Sequence, residues 1–136
     1  MIIMSVDLGK ARTGIAVSDA SGSFAFPKEV ITEYNTDRLV EKVCNKAKEL
    51  SAERIVVGYP KNMDGSLGER AQECAAIAEQ IKATSGLETV LWDERCTTVT
   101  AHNYLSMNNV RGKKRKQTVD AVAAVIILED YLRSLK

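Results

Sequence analysis

Three acidic positions stand where an α/β chain tends to place its chemistry. Asp7 lies near the end of the apolar run "IIMSVDL", Asp93 and Glu94 close "ETVLWDE", and Asp120 interrupts the apolar "TVDAVAAVIILEDYL". In alternating α/β sheets, sites form beyond the carboxyl ends of the parallel strands. Strand alternation puts Asp7 on the face of Ile3 and Ser5, where it either caps the following turn or faces a site. Asp93 and Glu94 point to opposite faces of a regular strand, so only one of them can share that site. Glu94 goes with Val90 and Trp92, and Asp93 with Leu91; alternation alone leaves both readings open, as it does a surface pair closed by Arg95. Asp120 has Ala123, Ala124, Ile127 and Tyr131 as helical neighbours. An acid on an apolar stripe is costly to bury unless it is paired, hydrogen-bonded or bound to a metal. Its alternative is a first-turn aspartate favoured by the helix dipole, with Thr118 as the N-cap.

Inward carboxylates without histidine or cysteine partners suit a hard cation, Mg²⁺ or Mn²⁺, which takes oxygen ligands and shares its shell with water and phosphate. Such an ion can activate water and stabilise a leaving oxygen, so metal-assisted hydrolysis of a nucleic-acid backbone is the expected reaction. Lys10, Arg12 and the run "RGKKRK", with Arg111, Lys113, Lys114, Arg115 and Lys116, would supply phosphate contacts that favour affinity over sequence choice. Each also has a plain reading as a solvated turn or loop residue. The segment "GYPKNMDGS" leads from a strand into a helix N-terminus and so can offer backbone N–H groups to a phosphate. It lacks the Walker lysine pattern of a nucleotide-binding loop.

The elements that must position these groups follow from periodicity. "IIMSVDL" and "TGIAVSD" read as strands joined by the short, Gly-led "GKAR", hence an antiparallel hairpin. "FAFPKEVIT" is a third strand, and Pro27 places it at an edge. Leu39, Val40, Val43, Ala47 and Leu50 then follow a helical repeat with Thr36 as N-cap. "RIVVGY" is a short strand buried on both faces. Ser66 and Glu69 form a capping box opening a helix with the stripe Leu67, Ala71, Cys74, Ala78 and Ile81. "ETVLWDE" is the fifth strand, "TTVTAHNYL" a helix capped by Thr97, and a last helix runs from about Thr118 to Leu135 after a basic loop. The order predicts an α/β fold over residues 1–136 as one domain: a three-strand antiparallel meander, then two βα units, in a mixed five-stranded sheet with helices on both faces.

Composition excludes several classes. The apolar stretch "AVAAVIIL" is too short to span a bilayer, and the N-terminus lacks a signal peptide's basic start and cleavage site. Three widely spaced cysteines without a CxxC pair argue against a disulfide framework or a zinc site, and one histidine argues against a histidine-based metal site or triad. A cytoplasmic protein without membrane association is expected. The net charge of +1 carries no information about nucleic acid, whereas five positive charges in the six residues 111–116 do. No long coiled-coil stripe is legible, which leaves monomer and homodimer open.

Four segments in order, "DLGKARTGIAVSD", "VVGYPKNMDGSLGERA", "DERCTT" and "VDAVAAVIILEDYL", resemble the YqgF family over nearly the whole chain. Members are described as candidate Holliday junction resolvases and as candidate nucleases for the 5′ end of the small-subunit ribosomal RNA precursor. The resemblance implies an RNase H-like fold and divalent-metal nuclease activity in ribosome biogenesis, acting on precursor rRNA in ribosomal precursor particles or on branched DNA. The family's first-strand aspartate falls on Asp7, the glutamate of its "DER" motif on Glu94 and its last-helix aspartate on Asp120. The "NMDGS" loop, with Asn62, falls on the substrate side or serves structure, and Arg95 becomes a phosphate contact or a partner to Asp93. Cys96 stands where leucine is commoner in the family. Many RNase H-like nucleases use a fourth carboxylate, but Glu129 and Asp130 lie roughly 14 Å along the helix from Asp120, which favours one ion in the free protein. Two rival readings stand beside it: an actin-like ATPase or sugar kinase, which needs two such domains, and a non-catalytic RNA-binding ribosome-assembly factor.

Overall fold

The computed structural model describes residues 1–9, 12–59, 68–93 and 112–135, with positions 59, 93 and 112–121 through their backbone. Five strands and three helices are defined: β1 (Ile3–Leu8), β2 (Arg12–Ser18), β3 (Ala25–Thr32), α1 (Thr36–Glu49), β4 (Arg54–Tyr59), α2 (Glu69–Ser85), β5 (Glu88–Asp93) and α3 (Gly112–Ser134). The strands form one mixed sheet in the order β3-β2-β1-β4-β5. β1, β2 and β3 pair antiparallel, whereas β1, β4 and β5 pair parallel, as the meander followed by βα crossovers requires. Pro27 sits in the edge strand β3, beside an irregularity between Ile15 and Ala16 where the partner shifts from Glu29 to Pro27. Proline lacks the N–H that a central strand would need there.

Strand alternation sorts the core into two layers. Met4, Val6, Leu8, Ile15, Ile55 and Val57 face α1 and α2, where Leu39, Val40, Val43, Ala47, Cys74, Ala78 and Ile81 meet them. Ile3, Ala16 and Val56 face α3 and pack on Ala124, Ile127, Leu128, Tyr131 and Leu132, with Val90 and Trp92 against the same cluster. Burying each Ile, Leu or Val side chain contributes roughly 1.5–3 kcal/mol. β4 is buried from Ile55 to Gly58 because helices cover both of its faces.

Three helix starts differ from expectation. Asn35, not Thr36, caps α1: its side chain accepts from the Arg38 backbone N–H at 3.0 Å, which takes up one of the helix's orphan donors. α2 opens at Glu69 behind an extended Gly68 with no side-chain cap, so the Ser66–Glu69 capping box does not form its start. Glu69 serves instead as a first-turn acid complementing the helix dipole. α3 begins at Gly112, so the run from Lys113 to Lys116 is helical and not a loop, and Thr118 is interior, not a cap. Lys and Arg are good helix formers, and the helix extends upstream through them. Ser66, Leu67 and the helix expected from Thr97 lie outside the described residues. Among the described residues, no helix is long and apolar enough to cross a membrane.

Candidate active site at the carboxyl end of the parallel strands

Asp7 is half-buried near the end of β1. It shares the parity of Ile3, which packs in the α3 cluster, and of Ser5, whose hydroxyl donates to the Ala124 carbonyl at 2.6 Å. The carboxylate therefore belongs to the α3 face. In register, Asp7 lies opposite Gly14 on β2 and opposite Gly58 on β4, and Gly58 in turn lies opposite Trp92 on β5. Neither immediate neighbour has a side chain, so bare backbone flanks the acid on both sides, as far as Trp92 on β5 and Val30 on β3. A substrate backbone can approach closely over such a floor.

Two polar contacts fix how α3 crosses this face. Arg54, in register with Ile3, donates from Nη1 to the Tyr131 hydroxyl at 2.7 Å. One step further along β1, Ser5 reaches Ala124. As β1 advances towards Asp7, its contact on α3 moves back towards the helix N-terminus, so strand and helix run antiparallel. Tyr131 also meets Trp92 edge to face, with ring centroids 5.3 Å apart and planes at 88°.

The turn after Asp7 is held tightly. The Gly9 N–H donates to the Arg12 carbonyl at 3.0 Å. A Cβ on Gly9 would stand 2.2 Å from that oxygen, so only glycine fits. From the other face, Arg70 donates through Nη2 to the Leu8 carbonyl at 2.8 Å and pairs through Nη1 with Glu73 at 2.9 Å. Arg12 is half-buried, two positions from Gly14 on the α3 face. Its Nη1 is buried and finds no acceptor among the described residues. A buried guanidinium N–H without an acceptor is costly, and an anion brought by a ligand would satisfy it.

The expected site residues are thus described unequally. Asp7 and Arg12 come to the same end and face of the sheet. Position 120 lies in α3, one turn before Ala124, and Lys113, Lys114, Arg115 and Lys116 occupy the helix's opening turns, where no acid stands. Lys10, Asn62, Glu94, Arg95 and Arg111 lie outside the described residues. Glu129 and Asp130 are exposed at the far end of α3, and Asp130 pairs with Arg133 at 3.6 Å. Sequence reasoning missed Ser5 and Arg70 as positioning groups and Gly14 and Gly58 as the flanking floor. The parity of Ser5 with Asp7 was the one signal available for any of them.

Comparison with known proteins agrees with this architecture. The model of the RuvX family, described as Holliday junction resolvase, matches residues 1–134. A protein of Bacillus cytotoxicus named "Putative pre-16S rRNA nuclease" is 41% identical over 137 residues, spanning 98% of this chain and 99% of its own length. Among solved structures, Thermus thermophilus RuvC in complex with a Holliday junction substrate has a TM-score of 0.59 at 14% identity, covering 98% of this chain and 96% of that one. The Fowlpox virus resolvase in complex with substrate Holliday junction DNA has a TM-score of 0.61 at 15% identity, covering 99% of each chain. These structures share the fold, which is RNase H-like. With a family match from end to end and a full-length relative at 41% identity, the chain belongs to the RuvX family of Holliday junction resolvases, nucleases that hydrolyse phosphodiester bonds.

Proposed function

We propose that the chain is a divalent-metal nuclease that processes the 5′ end of precursor 16S rRNA in the cytoplasm, acting on ribosomal precursor particles through Asp7, Glu94 and Asp120. The full-length relative named for pre-16S rRNA supports the substrate, and the grouping of the acids rests on the antiparallel crossing of β1 and α3 at the Ser5–Ala124 hydrogen bond. From that joint, Asp7 is about 7 Å further along the strand, and Asp120 is about 6 Å further back along the helix. Both steps lead to the same end of the sheet. On β5, Val90 and Trp92 belong to the α3 face, and Glu94 is the next position of that parity, which supports it over Asp93.

An all-carboxylate donor set beside a side-chain-free floor fits Mg²⁺ or Mn²⁺, held by Asp7, Glu94 and Asp120. When bound, such an ion supplies the charge that activates water and stabilises the leaving oxygen. The chain's own groups do the rest. Gly14 and Gly58 let the phosphodiester backbone approach Asp7, and the orphan Arg12 Nη1 holds a phosphate oxygen. Lys10, Arg95, Arg111, Lys113, Lys114, Arg115 and Lys116 draw the polyanion in, and Asn62 contacts it. Cations in the opening turns of α3 oppose its dipole until a phosphate arrives, which supports this role for them.

A second reading, hydrolysis of branched DNA, is favoured by the fold shared with resolvases solved with Holliday junctions. Cleavage of a precursor-rRNA fragment and of a four-way junction under one Mg²⁺ and one Mn²⁺ condition separates the two. Faster turnover of the RNA is the expected result, and cleavage of the junction alone would overturn the rRNA assignment.

A further inference from the structure

A cleft of about 470 Å³ opens on the opposite side of the sheet end from Asp7, between the β3–α1 connection and α2. Glu33, Tyr34, Thr36, Arg70, Glu73 and Gln80 line it, and Gly9 closes one end. Tyr34 is 81% exposed, the most exposed large hydrophobic side chain described. A ring left in water contributes nothing to the core, yet this one stands where Thr32 of β3 pairs with Arg12, at the same end as the Gly9 turn. Both lining acids are ion-paired: Lys42 sits 2.9 Å from Glu33 and lowers its pKa by hydrogen bonding, and Arg70 sits 2.9 Å from Glu73. Each lining carboxylate thus has a cation beside it when a polyanion approaches. The Gln80 amide and the Thr36 hydroxyl supply donors and acceptors of the kind that base edges pair with.

We infer that Tyr34 is a stacking platform for an unpaired nucleobase of the substrate strand, seated in the cleft beyond Gly9 while the neighbouring backbone lies over Asp7. This deepens the nuclease reading and rests on it. A base held within a continuous duplex cannot present its face to a side-chain ring, so the subsite selects substrates with unpaired nucleotides flanking the cut. It explains how the chain can favour an RNA end over fully paired arms without reading sequence, because every base has a stackable face.

Binding of a labelled single-stranded oligonucleotide, with one abasic position walked along it, tests the inference by fluorescence anisotropy in wild type, Tyr34→Ala and Tyr34→Phe. Tyr34→Ala should weaken binding by about tenfold and Tyr34→Phe by less than about twofold, with thermal midpoints unchanged for so exposed a position. At one position, abasic substitution should weaken wild type as much as Tyr34→Ala does and weaken Tyr34→Ala no further. Equal binding by wild type and Tyr34→Ala, or the same abasic penalty in both at every position, overturns the platform. A wild-type protein that binds no oligonucleotide overturns the nuclease reading instead.

Discussion

Replacing Ser5 probes the joint between the strand that carries Asp7 and the helix that carries Asp120. The hydroxyl and its acceptor belong to fully buried residues, and the donor–acceptor distance is 2.6 Å. Ser5→Ala removes the bond but does not orphan the Ala124 carbonyl, which keeps its place in the ladder of α3. The loss is then an ordinary net hydrogen bond, about 1 kcal/mol, or a fall of roughly 4 °C in thermal midpoint for a chain of this size. Ser5→Val puts a methyl group where an oxygen now sits 2.6 Å from another, well inside a carbon–oxygen contact distance. Overpacking of this kind costs about 1–3 kcal/mol, so Val should be worse than Ala even though it is more apolar. Thermal unfolding of the three proteins gives the order, with wild type most stable and Val least. A Val variant as stable as the Ala variant would refute the close polar joint and leave the face merely hydrophobic.

Further predictions concern the surroundings of the site. Gly9→Ala should destabilise by roughly 2 kcal/mol or more, because its Cβ would meet the Arg12 carbonyl at 2.2 Å; an unchanged urea midpoint would show that the turn can yield. A double-mutant cycle on Trp92→Leu and Tyr131→Leu should return about 0.5–1.5 kcal/mol of coupling for the edge-to-face pair, and strict additivity would deny the contact. Burial pushes the Cys44 thiol above its ordinary pKa. Its alkylation near neutral pH should therefore be slower in the folded protein than in urea and should speed up as pH rises; equal rates in the two states would contradict its burial.

Much of the fold was legible because burial imposes periodicity. The helical stripe of Val43 and Ala47, the doubly buried "RIVVGY" and the edge proline all follow from what a two-layer core demands. Helix starts were less legible. Asn35 and Thr36 are adjacent and both can cap, and the basic run before Asp120 suits a helix as well as a loop. In the site, alternation was enough to give the face of Asp7. Its flanking glycines depend on inter-strand register, and the Ser5–Ala124 joint links residues 119 apart. Neither leaves a local pattern. Arg70 reaching the Leu8 carbonyl is of the same kind: a long side chain whose partner is a backbone atom of a distant strand.

If Asp7, Glu94 and Asp120 act as one site on the α3 face, cleavage should need all three. Single-turnover cleavage of a precursor-rRNA fragment in Mn²⁺ by wild type, Asp7→Asn, Glu94→Gln and Asp120→Asn tests it most directly, with Asp93→Asn as the comparison at the neighbouring position. Each of the three variants should lose at least about a hundredfold in rate while unfolding at a temperature close to that of wild type, and Asp93→Asn should retain most of the activity. Wild type and those three variants cleaving alike, or Asp93→Asn failing where Glu94→Gln cleaves, would show that the three acids do not form the site.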